Sequence, residues 1–163
     1  MLVKDYGRET DWNIGAFCGH DEMMFDIDKA CKMACEKNGI RYVFGSISTV
    51  LQGGRIPQQN LPVSEVLSRA DKYNELGLGV RLTFSSPFVT RGDLVDETSN
   101  IMLRHLDHNN QNGLINRNGV IVMSDLLADY IRYMYPNLEL ISSQVKPSVE
   151  VGLGNDSPPR KNI

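Results

Sequence analysis

The chain has 163 residues, 41% apolar and 23% charged, with a net charge of −3 at neutral pH. That length suits one ordinary domain with a real core, and the composition excludes global disorder. The acidic balance argues against a general nucleic-acid or membrane-surface binder, which needs a basic face, and no run approaches the ~20 apolar residues that span a bilayer.

Residues 1–20 mix polar residues, glycines and isolated apolar residues without a sustained period, so an irregular segment is expected, with at most a short strand near Ile14 to Cys18. Met1-Leu2-Val3-Lys4-Asp5 offers none of the apolar run of a secretory signal, so Cys18, Cys31 and Cys35 are expected as reduced thiols in a cytoplasm. From Asp21 the period turns helical. Met23, Met24, Ile27, Ala30, Cys31, Ala34 and Cys35 recur at three- and four-residue steps, with Asp21 as a candidate cap and Asn38-Gly39 as a left-handed stop.

Tyr42 to Ser48 is rich in β-branched and aromatic residues and reads as a strand; Gln52-Gly53-Gly54-Arg55 reads as a loop. Pro62 suits the first turn of a helix whose face is Val63, Val66, Leu67, Ala70, Tyr73 and Leu76, and Gly77 ends it. The cycle then repeats. Val80 to Ser85 is strand-like, and Asp93 is the expected cap of a helix facing inward with Leu94, Thr98, Ile101, Met102 and Leu106. An asparagine-rich connector runs from Asn109 to Asn118, followed by an apolar strand from Val120 to Met123. Ser124 caps a helix with Leu127, Tyr130, Ile131 and Met134 inward, Pro136 stops it, and Leu138 to Ser143 is the last strand. Residues 21–151 thus form one α/β domain, and residues 152–163 have so little to bury that a mobile tail is expected.

Strands separated by helices cannot pair as hairpins; they pair in parallel through crossovers. The strands read as apolar on both faces, as a covered parallel sheet demands. Two architectures satisfy the pattern: part of a (β/α)₈ barrel, or a small open doubly wound sheet. No Gly-x-Gly-x-x-Gly follows a strand, so the dinucleotide-binding version of the open sheet has no support.

In both architectures ligands bind at the carboxyl ends of the strands. Those ends carry Ser46, Ser48 and Thr49; Thr83, Ser85 and Ser86; Ser124 and Asp125; and Ser142, Ser143, Gln144 and Lys146. Hydroxyls donate and accept, which suits a sugar, phosphate or peptide-like ligand. Gly53, Gly54 and Arg55 add a turn whose backbone N–H groups and guanidinium can cradle an anion, although a plain flexible turn explains them equally well. The expected ligand-binding set is therefore Gly53, Gly54, Arg55, Ser85, Ser86, Ser143 and Gln144, with Asp125 and Lys146 as the catalytic candidates. Asp125 has a competing role as a negative charge in a first helical turn, and Ser124 as a cap.

Cys18, His20, Cys31 and Cys35 invite a metal reading, but their spacing fits no standard zinc or iron–sulfur pattern, and Cys31 and Cys35 sit on the apolar side of their helix. His105 and His108 are three apart, with Asp107 on another face, and read as a solvated helix end. No metal site is assigned, and the pattern names no cofactor. The expected partner is a small polar or anionic ligand, without membrane or nucleic acid. If 163 residues is the full length, the exposed edges of a half barrel predict a homo-oligomer.

The stretch Gly119-Val-Ile-Val-Met-Ser-Asp-Leu-Leu-Ala-Asp-Tyr-Ile-Arg-Tyr-Met-Tyr-Pro-Asn-Leu-Glu-Leu-Ile-Ser-Ser-Gln, with the preceding Gly79-Val-Arg-Leu-Thr-Phe-Ser-Ser, resembles the N-terminal barrel region of the peptidase U32 (collagenase-like protease) family. The shared features are an apolar strand, a helix with a Tyr-Pro stop, and a strand ending in Ser-Gln. The resemblance implies a TIM-barrel-like fold and, by analogy, a hydrolase or RNA- or cofactor-modifying context. No cysteine follows Cys35, so the family's cysteine-rich signature is absent and its cluster or peptidase chemistry does not carry over. Two functions compete: a barrel-type enzyme or enzyme fragment binding a polar or anionic ligand at its strand ends, or a non-catalytic module that self-associates through an open sheet edge.

Overall fold

The computed structural model describes residues 12–15, 17–34, 40–52 and 60–143. Five strands, β1 (Trp12–Gly15), β2 (Ile40–Gly45), β3 (Gly79–Phe84), β4 (Gly119–Val122) and β5 (Glu139–Ser142), alternate with four helices, α1 (Asp21–Ala34), α2 (Val63–Glu75), α3 (Glu97–Gln111) and α4 (Asp125–Met134). Every strand pair is parallel, and the order across the sheet is the order along the chain, β1-β2-β3-β4-β5. This is the α/β class expected, with β1 at Trp12–Gly15, two residues ahead of the short strand allowed near Ile14 to Cys18 in an otherwise irregular segment. A doubly wound sheet reverses its strand order at a switch point; these five strands show no reversal, and their order is that of consecutive barrel strands.

Sequential order has a geometric consequence. Crossovers of one hand between consecutive neighbours place every helix on the same face. Val43, Val80, Leu82, Phe84, Val120 and Val122 alternate onto that face and are buried. Met24 of α1, Val66, Ala70 and Tyr73 of α2, Met102, Leu103 and Leu106 of α3, and Leu127, Ala128 and Ile131 of α4 join them in one core. None of the described helices is long and apolar enough to cross a membrane.

The opposite face departs from the expectation of strands apolar on both sides. It carries Asn13, Tyr42 and Gly79 in one row, then Gly15, Phe44, Arg81, Gly119 and Glu139, then Thr83, Ile121 and Ile141. Arg81, on the central strand, is its hub. The guanidinium donates to Asn13 Oδ1 of β1 at 3.2 Å and to Glu139 Oε2 of β5 at 3.2 Å, and lies 3.5 Å from the Tyr42 ring centroid. Four spacings of ~4.8 Å would hold the edge strands of a flat sheet about 19 Å apart. One guanidinium therefore reaches side chains of both edges because those edges lean inward over this face. Gly119, in the row between Arg81 and Glu139, lets β5 come close: a Cβ there would lie 2.6 Å from the Glu139 carbonyl oxygen.

Helix starts and faces follow local chemistry, with three corrections. Ser124 caps α4, its hydroxyl accepting from Leu127 N–H at 3.3 Å, and Gly77 ends α2 with φ +81°, both as expected. Asp93 does not cap α3. Its carboxylate takes the Thr90 N–H and hydroxyl at 2.7 Å each to open a 3₁₀ turn, and Asp96 does the capping, accepting from Ser99 N–H at 2.8 Å. The buried side of α3 is accordingly Ser99, Met102, Leu103, Leu106, Asp107 and Asn110 rather than one led by Leu94, Thr98 and Ile101. Leu76 and Met134, expected inward, are exposed, Leu76 as the C-cap of α2 and Met134 as the last residue of α4.

The asparagine-rich connector is structural. Asn118, 0% exposed, sits where the amino ends of β3, β4 and β5 meet α2 and α3. Its Oδ1 accepts from Val80 N–H and Asn74 Nδ2, both at 2.8 Å, its N–H donates to Asn110 Oδ1 at 2.7 Å, and its carbonyl accepts from Glu139 N–H at 3.1 Å. Asn110 Nδ2 spans to the carbonyls of Asn118 at 3.0 Å and Asn137 at 2.8 Å, and Asp107 holds Asn137 from below. Truncating Asn118 strands several buried groups, each costing roughly 1–3 kcal/mol. Asn118→Ala should lose roughly 3–5 kcal/mol in urea unfolding, whereas Asn112→Ala, at the exposed end of α3, should stay within about 0.5 kcal/mol. Equal losses for the two would refute the hub.

Candidate ligand site at the carboxyl ends of the strands

The last residues of β3, β4 and β5 that pair across the sheet are Phe84, Val122 and Ser142, so Ser85, Met123 and Ser143 follow side by side at the rim. Ser143 extends the ladder, its N–H donating to the Val122 carbonyl at 2.8 Å. Ser85 and Ser143 are both buried and stand two strand spacings, about 10 Å, apart. The structure thus brings together two of the expected hydroxyls.

The loop after β2 closes over this rim. Ile47 and Leu51 insert into the core, the Ser86 N–H donates to the Leu51 carbonyl at 3.2 Å, and the Ser85 hydroxyl donates to the Gln52 carbonyl at 3.0 Å. Ser86 therefore contributes its backbone to holding the loop. Asp125 lies three residues past the end of β4, exposed, in the first turn of α4, where its charge suits the helix dipole. Gly53, Gly54, Arg55, Gln144 and Lys146 lie outside the described residues.

Sequence reasoning passed over Gln52, Arg81 and Glu139. Gln52 Oε1, Thr83 Oγ1 and Arg81 Nε are buried and make no hydrogen bond among the described residues. Buried polar groups are nearly always satisfied in folded proteins, so three such atoms on and beside β3 single it out. The signal was present in the strand itself: Val80, Leu82 and Phe84 alternate with Arg81, Thr83 and Ser85, the period of a strand with one polar face.

A second polar cluster lies at the start of α1. The Asp21 carboxylate accepts from Cys18 N–H at 3.1 Å and Tyr73 hydroxyl at 2.7 Å, and it pairs with Arg69, which also binds Glu65 at 2.6 Å. This ties α1 to α2 rather than capping α1. A groove of about 530 Å³ beside it is lined by His20, Glu22, Ser68 and Lys72 among others. Cys18 takes φ +61° and is buried in the core, whereas His20 is exposed. Cys35 and the Cys31 side chain lie outside the described residues. His105 Nε2 contacts Asp71 Oδ1 at 2.6 Å, while His108 is exposed. Among the described residues no three His, Cys, Asp or Glu side chains converge as a metal site.

Burial, reinforced by the Asp21 charge, pushes the Cys18 thiol from 9.0 up to about 12, and burial beside Tyr130 pushes the Tyr135 phenol from 10.0 up to about 12. Both groups hold their protons more tightly in the folded chain. Their contribution to stability is complete below about pH 9 and is lost as pH rises toward 12. Urea midpoints should therefore fall as pH rises above 9. Iodoacetamide at a fixed mildly alkaline pH should alkylate Cys18 roughly a thousandfold more slowly in the native chain than in urea, read by peptide mass spectrometry. Comparable rates would mean an accessible thiolate.

No protein-family model matches this chain, and no match is found among curated proteins or among solved structures.

Proposed function

We propose that the chain is a barrel-type enzyme, or a part of one, that takes a small polar or anionic ligand at the carboxyl-terminal rim of its parallel sheet. The observation that carries this reading is the buried, unsatisfied Gln52 Oε1 beside a rim where Ser85 and Ser143 stand about 10 Å apart. A small ligand spans that gap, and a donor on it would satisfy the Gln52 oxygen. Gly53, Gly54, Arg55 and Gln144, outside the described residues, are further proposed contacts. Asp125 and Lys146 are the proposed proton-transfer groups, and the likeness of residues 79–146 to U32 barrels suggests hydrolysis as the reaction class.

The alternative is a non-catalytic module that associates through its sheet edges. It is favoured by one observation: among the described residues β1 and β5 are each paired on one side only, and Leu140 and Ile141 of β5 are only half-buried.

Thermal-shift titration of the full chain with glycerol, glucose and glycerol 3-phosphate tests the first reading. At least one should raise Tm, and Ser85→Ala should remove most of that gain. A Tm flat for all three probes, with a concentration-independent dimer by light scattering, would replace it with the edge-association reading.

A further inference from the structure

The face of the sheet on which none of the described helices packs has a chemistry of its own. Thr83 is 4% exposed and Arg81's side chain 14% exposed, two residues apart on the central strand and on the same face. On the β4 and β5 side the row neighbours of Thr83 are Ile121 and Ile141, and neither can hydrogen-bond a hydroxyl through its side chain. Packing alone favours valine at such a position, since a buried hydroxyl without a partner is a net cost. Arg81 presents five N–H donors. One is spent on Asn13 and one on Glu139, both at 3.2 Å, and the Nε donor is buried with no acceptor. The tyrosine ring under the guanidinium holds its plane in place.

Two pre-placed donors, on a cationic side chain and a hydroxyl one pleat apart, lack one component: an acceptor with at least two oxygens. We propose that Arg81 and Thr83 form an oxyanion subsite that takes the carboxylate or phosphate group of the ligand. The Glu139 carboxylate, half-exposed on the far edge, already offsets part of the Arg81 charge. Recognition therefore rests on directed hydrogen bonds rather than on net charge, as planar arginine recognition of oxyanions does. Ser85, two residues beyond Thr83 and roughly 7 Å along the strand, then meets the polar remainder of the same ligand at the rim. The subsite rests on the rim reading, because it assigns the anionic end of a ligand entering there.

Isothermal titration of the full chain with inorganic phosphate and, separately, with succinate distinguishes the two oxyanion sources. One of the two should bind. Thr83→Val should weaken that binding roughly tenfold or more while leaving the ligand-free Tm unchanged or higher, because it removes an unsatisfied hydroxyl. Arg81→Lys, which keeps the charge but not the fork, should also weaken it; should that variant unfold through loss of the Asn13 and Glu139 contacts, the Thr83 variant still decides. Parent and Thr83→Val chains that bind alike, or a parent that binds neither anion, overturn the subsite. A parent that binds neither anion yet responds to glycerol or glucose through Ser85 loses the subsite and keeps the rim.

Discussion

The architecture turns on Asn118. A parallel sheet needs the amino ends of its strands held in register while the crossover helices return to the same side. One fully buried side chain does this here by bonding β3, α2 and α3, while its own backbone bonds β5 and Asn110. Buried polar networks of this kind stabilise only when every member is satisfied. Asn74, Asn110 and Asn137 complete the set, with Asp107 as the terminal acceptor. Consolidating polar bonds at the amino-terminal end leaves the carboxyl-terminal end free of that duty, which is the division of labour parallel barrels show.

The two faces of the sheet solve different problems. One is packed against the four described helices around a mainly apolar core. The other has Arg81 at its centre, bridging β1 and β5. A buried ion pair is seldom a net source of stability, since desolvation offsets the attraction. The Arg81 arrangement is better understood as a geometric device that draws the edges inward and presents donors along β3. Glycine at 119 is part of it, because it lets β5 and Glu139 approach to where a Cβ would stand 2.6 Å from the Glu139 carbonyl oxygen.

The helix-bearing side was legible because its signals are local. A serine before an apolar helix, a glycine after one, and a three-to-four-residue period depend on chain neighbours, so Ser124, Gly77 and the Leu127–Ile131 face could be named from the pattern. The error at Asp93 has the same origin. Two aspartates three residues apart are equal candidates for a cap, and the choice falls to Asp96 because Thr90 engages Asp93 in a preceding turn. The candidate site was legible only as a rim of hydroxyls. Ser85 and Ser143 come together there, but Gln52 acquires meaning only once its loop folds back onto β3.

From its residues alone the chain determined the alternation of strands and helices, the parallel pairing that alternation forces, and the end of the sheet where hydroxyls gather. Periodicity and chain connectivity are one-dimensional properties, so they survive without coordinates. Only the tertiary structure decided the sequential strand order, the capture of both sheet edges by Arg81, and the role of Asn118 as a buried hub rather than loop residue. Those facts depend on groups 38 to 68 residues apart in the chain, such as Asn118 with Val80 and Arg81 with Asn13. No local pattern encodes such distances, because they are set by how the helices pack and how far the sheet curls.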